Sequence, residues 1–168
     1  AQQISSDGTF DFGSAASLTF FGTIGNGRVT LAKYSDSPRS IESISEDIVS
    51  EYRLTILNGG ITFFDSTRVS LPVSEYAGIN QPEDVVVYKR PQPGNGPFEA
   101  LTLTVDDNGT ANRTSDDTLS IKIAEEFGEL VLASDSRENP LGRDIPPIAP
   151  SNLSAQLKGR QVSLSWSV

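Results

Sequence analysis

Apolar and polar residues alternate with a period of two in short runs along most of the chain, and Gly, Asn, Pro and Asp fall between the runs. Successive side chains of an extended strand point to opposite faces, so this pattern predicts half-buried β-strands joined by turns. No stretch sustains a helical period over three turns. Phe10 with Phe12, and then Leu18 to Phe21, read as opening strands, followed by Arg28 to Tyr34 with Val29 and Leu31 on one face. Asn26-Gly27 predicts a hairpin turn between them, since both residues tolerate positive φ. Ile41 to Val49 carries Ile at 41, 44 and 48. It reads as a loop tucking apolar residues under the sheets, with a single amphipathic helical turn as the alternative.

From Glu51 the alternation is clean, with Tyr52, Leu54 and Ile56 on one face and Arg53 and Thr55 on the other. Asn58-Gly59-Gly60 then predicts a turn, with Ile61 to Phe64 as the returning strand. Val69, Leu71 and Val73 point inward, and Pro72, which has no amide to donate, suits an edge strand. Val85 to Arg90 is rich in β-branched residues and reads as a central strand buried on both faces. Pro91 to Pro97 is a rigid loop. Phe98 to Val105 reads as one strand that pairs, across Asp106 to Asp117, with Leu119 to Ile123, and Gly128 to Ala133 closes the unit. About nine strands at this spacing predict an all-β fold, an antiparallel two-sheet β-sandwich of immunoglobulin-like or jelly-roll-like type.

Domain boundaries follow from the punctuation. Residues 1–140 form the sandwich and 141–150 a Pro-rich linker. Residues 151–168 open a second β domain that the sequence does not complete, with strands near Leu153–Leu157 and up to Trp166 about a turn at Lys158-Gly159. Two strands cannot bury a core of their own, so Val162, Leu164 and Trp166 are candidates for pairing with another strand or chain.

Charge and composition narrow the function. The formal net charge is −9, with 13 basic and 22 acidic residues and no basic cluster. Nucleic acid and anionic membranes would be repelled. His, Cys and Met are absent. That removes the commonest general base, the Ser-His and Cys-His nucleophile pairs, disulfides and most zinc or copper sites, so the chain is expected not to be an enzyme. Glu125-Glu126 and Glu46 with Glu51 are carboxylate pairs, but neighbours on a strand face opposite ways and cannot flank one bond. No apolar run reaches the ~20 residues of a membrane helix.

The most site-like cluster is Asp106, Asp107 and Asn108 with Asp116 and Asp117, a loop offering oxygen ligands at both ends. Calcium takes 6–8 oxygens, and several could come from here, although Asp and Asn are also the ordinary residues of tight turns. No other cofactor is expected. Tyr34, Tyr76, Tyr88, Phe98 and Trp166 could form a glycan-stacking platform, against the usual placement of aromatics in cores. Asn108, Asn112 and Asn152 each begin an Asn-x-Ser/Thr triplet.

Glu51-Tyr-Arg-Leu-Thr-Ile, Val85-Val-Val-Tyr-Lys-Arg, Phe98-Glu-Ala-Leu and Phe127-Gly-Glu-Leu-Val-Leu-Ala-Ser-Asp135 with Asn139-Pro-Leu141 together resemble a β-sandwich module of secreted Bacteroidetes-type proteins. The resemblance covers roughly Asp7 to Leu141. Gly142-Arg143-Asp144 departs from its pattern, where a Pro follows Asn-Pro-Leu. Ala149-Pro-Ser-Asn-Leu-Ser-Ala and Val162-Ser-Leu-Ser-Trp166 are similar both to the start of a fibronectin type III domain and to the sorting tail of type IX secretion cargo. Either resemblance implies export and a secreted or cell-surface location. The resulting expectation is a non-catalytic structural or adhesive module of a modular bacterial protein, partnered by neighbouring domains or other surface subunits. The alternatives are a carbohydrate-binding module attached to a secreted hydrolase, and a subunit joined to a surface assembly by strand addition.

Overall fold

The computed structural model describes residues 1–110, 113–124 and 126–142, and gives the backbone alone for Phe63 and for the strands at 151–158 and 161–167. Among these residues, two antiparallel sheets pack face to face as a β-sandwich. The larger sheet runs in the order β1 (Gln2–Ile4), β4 (Ile24–Tyr34), β6 (Arg53–Phe63), β12 (Gly128–Ser134), β8 (Val86–Arg90) and β9 (Glu99–Leu101), with the short β5 (Ile48–Val49) also on β12. The smaller has the order β10 (Leu103–Asp106), β11 (Thr118–Ile123), β7 (Ser66–Pro72), β3 (Ser17–Phe21) and β2 (Gly8–Asp11). β13 (Ser151–Lys158) and β14 (Gln161–Ser167) pair with each other as a separate two-stranded sheet. Linker residues 143–150 lie outside the described residues.

Period-2 patterning placed the core well. Leu18 and Phe20 of β3, Val69 and Leu71 of β7, and Leu119, Ile121 and Ile123 of β11 face Leu54 and Ile56 of β6, Val87 of β8, and Leu130 and Leu132 of β12. Phe20 sits in the middle of an aromatic group. It meets Phe10, Phe64 and Phe127 edge-on at centroid distances of 5.9, 5.9 and 6.0 Å, and Phe64 and Phe127 stack at 4.9 Å.

Four expectations from local sequence fail, each because tertiary pairing overrode a local signal. Asn26-Gly27 is no hairpin turn; it lies inside β4, and the chain passes between sheets just before it, where the Asp7 carboxylate accepts the Gly22 and Thr23 amides at 3.0 and 2.7 Å. Those two bonds hold the Asp7 carboxyl below its ordinary pKa. The opening hairpin is instead β2–β3. Asn58-Gly59-Gly60 likewise lies within β6, which pairs with β4 from Tyr34↔Arg53 to Ile24↔Phe63. The register slips opposite these glycines, making bulges that use the same backbone freedom as turns. A Cβ at Gly27 would lie 2.1 Å from the Ile61 amide nitrogen, so this approach needs glycine.

Pro72 is not on an edge. β7 lies between β11 and β3, and Pro72 is its last residue, where a missing amide costs the ladder little. The run Phe98 to Val105 divides at Thr102: β9 joins the large sheet and β10 the small one.

The segment before β5 is a loop, as expected, and it roofs the outer face of the large sheet. Beneath it Val49, Tyr88, Phe98, Val131 and Ala133 form a second apolar cluster with Ile44 packed against it. Ser43 Oγ accepts the Phe98 amide at 2.7 Å and Ser45 Oγ lies 3.0 Å from Tyr88 Oη. β12 is therefore buried along its whole length. Between β5 and β6 the ladder is completed by a side chain: the buried Ser50 hydroxyl accepts the Leu132 amide at 3.2 Å and donates to the Tyr52 carbonyl at 2.6 Å.

Candidate functional site

The acidic loop folds as a tight turn. Asp106 Oδ1 accepts the Asn108 amide at 3.0 Å, Asp107 Oδ1 accepts the Gly109 amide at 2.9 Å, and Asn108 takes φ +48°. Thr110 Oγ1 lies 2.9 and 3.0 Å from the two Asp116 carboxylate oxygens, and Asn108 Nδ2 donates to the Asp116 carbonyl. Among the described residues no three Asp, Glu, His or Cys groups converge as a metal cage. Asn112 lies outside the described residues.

Asp117 is the exception in this loop. It is buried, and its Oδ1 has no hydrogen-bond partner. Burial, and then the charges of Asp116, Asp107, Glu83 and Asp106, push its carboxyl above the ordinary range. A group raised in this way stabilises the fold while protonated. That contribution is complete below the unfolded value of 3.8 and is lost as pH rises through the folded one. Asp117→Asn should thus raise the melting temperature at neutral pH and leave it nearly unchanged at about pH 3, a difference that scanning calorimetry reads directly.

Among the described residues the aromatics do not assemble into a platform, in line with the usual placement of aromatics in cores. Tyr76, Tyr88 and Phe98 are buried, while Tyr34 is exposed and carries the Arg53 guanidinium 4.4 Å above its ring. Tyr76 donates from Oη to the Ala15 carbonyl at 2.6 Å and packs against Tyr52 with the rings tilted by 49°, and Lys33 Nζ sits 4.4 Å from the centroid of its ring. Burial raises both tyrosine hydroxyls above their usual pKa, and Tyr76 is raised further by Tyr52 and Glu75. Val162, Leu164 and Trp166 fall in β14, with Val162 opposite Leu157 and Leu164 opposite Ala155.

Two arrangements went unread in the sequence. The first is a buried ion pair under the roof. Arg90 and Glu129 are opposite each other across β8 and β12, and both are buried completely. Arg90 Nε donates to Glu129 Oε2 at 2.7 Å; Nη2 lies 2.6 Å from the same oxygen without the alignment of a hydrogen bond, so the pairing is one-sided. Nη1 donates to the Arg39 carbonyl at 2.9 Å, and the guanidinium lies 4.3 Å from the Phe98 centroid. Glu129 Oε2 also accepts the Gly94 amide at 2.7 Å, while Arg53 Nη1 approaches Oε1 at 3.5 Å and Arg53 Nη2 reaches Asp36 at 3.1 Å. A cleft of about 360 Å³ opens beside them, lined by Arg39, Arg53, Pro93 and Gly94. Arg53 and Arg90 are matched there by Asp36 and Glu129, and the Arg90–Glu129 pair pins the Pro91–Pro97 loop and, through the Arg39 carbonyl, the roof to the sheet. A glutamate within Gly128-Glu-Leu-Val-Leu-Ala was the available signal, since a carboxylate in a fully buried strand requires a cation.

The second lies on the outer face of the small sheet. A depression of about 380 Å³ is lined by Phe21, Ser66, Arg68, Thr104, Ser120 and Lys122. Phe21 is 40% exposed, and Arg68 sits 5.9 Å from its ring centroid. Period-2 reading had placed Phe21 on a strand face; the phase of Leu18 and Phe20 inward puts it outward.

Comparison of the chain with protein-family models, with curated proteins and with solved structures found no match in any of the three.

Proposed function

We propose that residues 1–142 are a non-catalytic structural or adhesive module of an exported, cell-surface or extracellular bacterial protein. The observation that supports this reading is how the polypeptide leaves the sandwich. After β12 the chain turns back and binds the body at several points. Asn139, fully buried, accepts the amides of Asn80 and Gln81 on Oδ1, both at 2.8 Å, and donates from Nδ2 to the Gln81 carbonyl at 2.7 Å. Leu141, also fully buried, donates its amide to the Gly78 carbonyl at 3.1 Å and accepts the Glu51 amide at 3.0 Å. A Cβ at Gly78, whose φ is +78°, would lie 2.6 Å from the Leu141 nitrogen.

Such an exit fixes the point from which the following segment departs, which is the property required of a spacer that must hold its neighbour at a set position. The likeness of 149–166 to a fibronectin type III or sorting-tail start supports export and further domains. The same Asn139-Pro-Leu that resembles a domain boundary in sequence forms the anchor.

Two measurements test the reading. Asn139→Ala removes the three hydrogen bonds of a fully buried side chain to Asn80 and Gln81 and is expected to lower stability by about 1–3 kcal/mol. In hydrogen exchange, the Glu51 and Leu141 amides should open with the sheet and not before it. Early exchange at both positions, or turnover in a broad hydrolase screen, would overturn the proposal.

A further inference from the structure

We infer that the depression on the outer face of the small sheet binds an acidic glycan, specifically an oligosaccharide of hexuronate units. The inference begins with an electrostatic oddity. Arg68 and Lys122 are direct cross-strand partners on β7 and β11, and both are exposed. Like charges placed directly opposite each other destabilise a sheet. Among the described residues neither has a carboxylate within 4.0 Å, although acidic residues outnumber basic ones by 22 to 13. Among the described basic side chains only Arg53 and Arg90 have a carboxylate within 4.0 Å, so what sets Arg68 and Lys122 apart is that the two cations face each other directly across the ladder. An unneutralised pair of cations on an acidic protein therefore serves stability poorly and suits an anionic ligand well.

The surroundings specify which anion. Phe21 is a partly exposed aromatic beside the cations, with Arg68 over its ring, and an exposed aromatic is the kind of group that receives the apolar C–H face of a pyranose. Around them the outward positions are hydroxyls. Thr9, Thr19, Arg68 and Lys122 form one cross-strand row, and Ser17, Ser70, Ser120 and Thr104 the next. Hydroxyls both donate and accept and so match the alternating demands of sugar OH groups. A pyranose carrying a carboxylate is the ligand that uses the ring, the cations and the hydroxyls together. The volume falls within the range of about 300–1,000 Å³ usual for small-molecule sites.

The chain's net charge of −9 opposes every polyanion at long range, and what favours a uronate over a polynucleotide is the rows of hydroxyls around the cations. Screening over about 8 Å at physiological salt leaves the contacting cations dominant. The face is also open: the large sheet is roofed by the loop before β5, and among the described residues the small sheet has no such cover.

The test is titration of the whole chain with oligogalacturonate and oligomannuronate hexasaccharides, with cellohexaose as the neutral control, at about 20 and 200 mM salt. Saturable binding of at least one uronate is expected. It should weaken with salt and be about tenfold or more tighter than for the neutral sugar. Arg68→Gln with Lys122→Gln, and separately Phe21→Ala, should each weaken it about tenfold or more, without lowering the melting temperature, which the double variant should if anything raise by removing the like-charge pair. Amide shifts of the wild-type chain give a second readout: resonances of β3, β7 and β11 should move on titration. No saturable uronate binding at about 1 mM sugar, equal affinity in the variants, or shifts confined to other strands would each overturn the inference. It rests on the non-catalytic reading only in requiring that the sugar be released intact. Cleavage of bound sugar would remove that reading and leave the site, whereas absence of binding would remove the site and leave the anchored exit untouched.

Discussion

Glu129→Ala is expected to cost about 3–5 kcal/mol in a urea titration, because it strands a fully buried guanidinium instead of merely deleting a contact. Removing one member of a buried pair leaves the other charged, desolvated and unmatched. Arg90 would keep its bond to the Arg39 carbonyl but lose its only carboxylate among the described residues. The Gly94 amide would lose its acceptor at the same time, loosening the Pro91–Pro97 loop. The double variant Arg90→Met with Glu129→Leu should recover most of this loss, since an apolar pair of similar volume removes both desolvation penalties. If the single variant proves nearly neutral, the pair does not hold the roof, and the role assigned to it here is wrong.

Phe20→Ala should cost a similar amount, about 3–5 kcal/mol, through a cavity and not through charge. Its ring is fully buried and meets three other rings edge-on, so truncation removes aromatic contacts that methylenes do not replace. Phe64 and Phe127 already stack on each other and have little freedom to collapse into the gap. Phe20→Leu should cost less, about 1–2 kcal/mol, as part of the volume is kept. A loss below about 1 kcal/mol for the alanine variant would mean that the aromatic group repacks. Thermal or urea unfolding of the two variants side by side decides it.

The legible part of this fold was the part written in period two. Leu18 with Phe20, Leu54 with Ile56, Leu119 with Ile121 and Leu130 with Leu132 all face the core, because burial of one strand face is a local pattern with a tertiary cause. Pairing was less legible, because glycine and asparagine carry the same backbone freedom into a bulge as into a turn. Asn26-Gly27 and Asn58-Gly59-Gly60 were therefore read as chain reversals when they lie opposite each other inside one long ladder. The crossing at Thr102 was hidden for another reason: Leu101, Leu103 and Val105 stay in phase while the chain changes sheets.

The candidate sites divide in the same way. The acidic loop announced itself by composition, yet the oxygens of Asp106 and Asp107 bind their own turn, which is what short acidic side chains do in tight turns. Arg68 and Lys122 lie 54 positions apart, and only the β7–β11 register makes them neighbours. No local pattern could have placed them side by side.

The roof has a consequence for proteolysis. Arg39 is exposed and Ser40 holds φ +52°, so the bond between them is the natural point for a trypsin-like enzyme to enter the segment over β8 and β12. Cleavage requires that the backbone there be drawn out into an extended conformation. The Arg39 carbonyl is itself held by the guanidinium of Arg90. The side chain that closes the ion pair thus also guards the scissile bond, and a nick there would free the cover of Tyr88, Phe98 and Val131 and expose an apolar face able to drive aggregation.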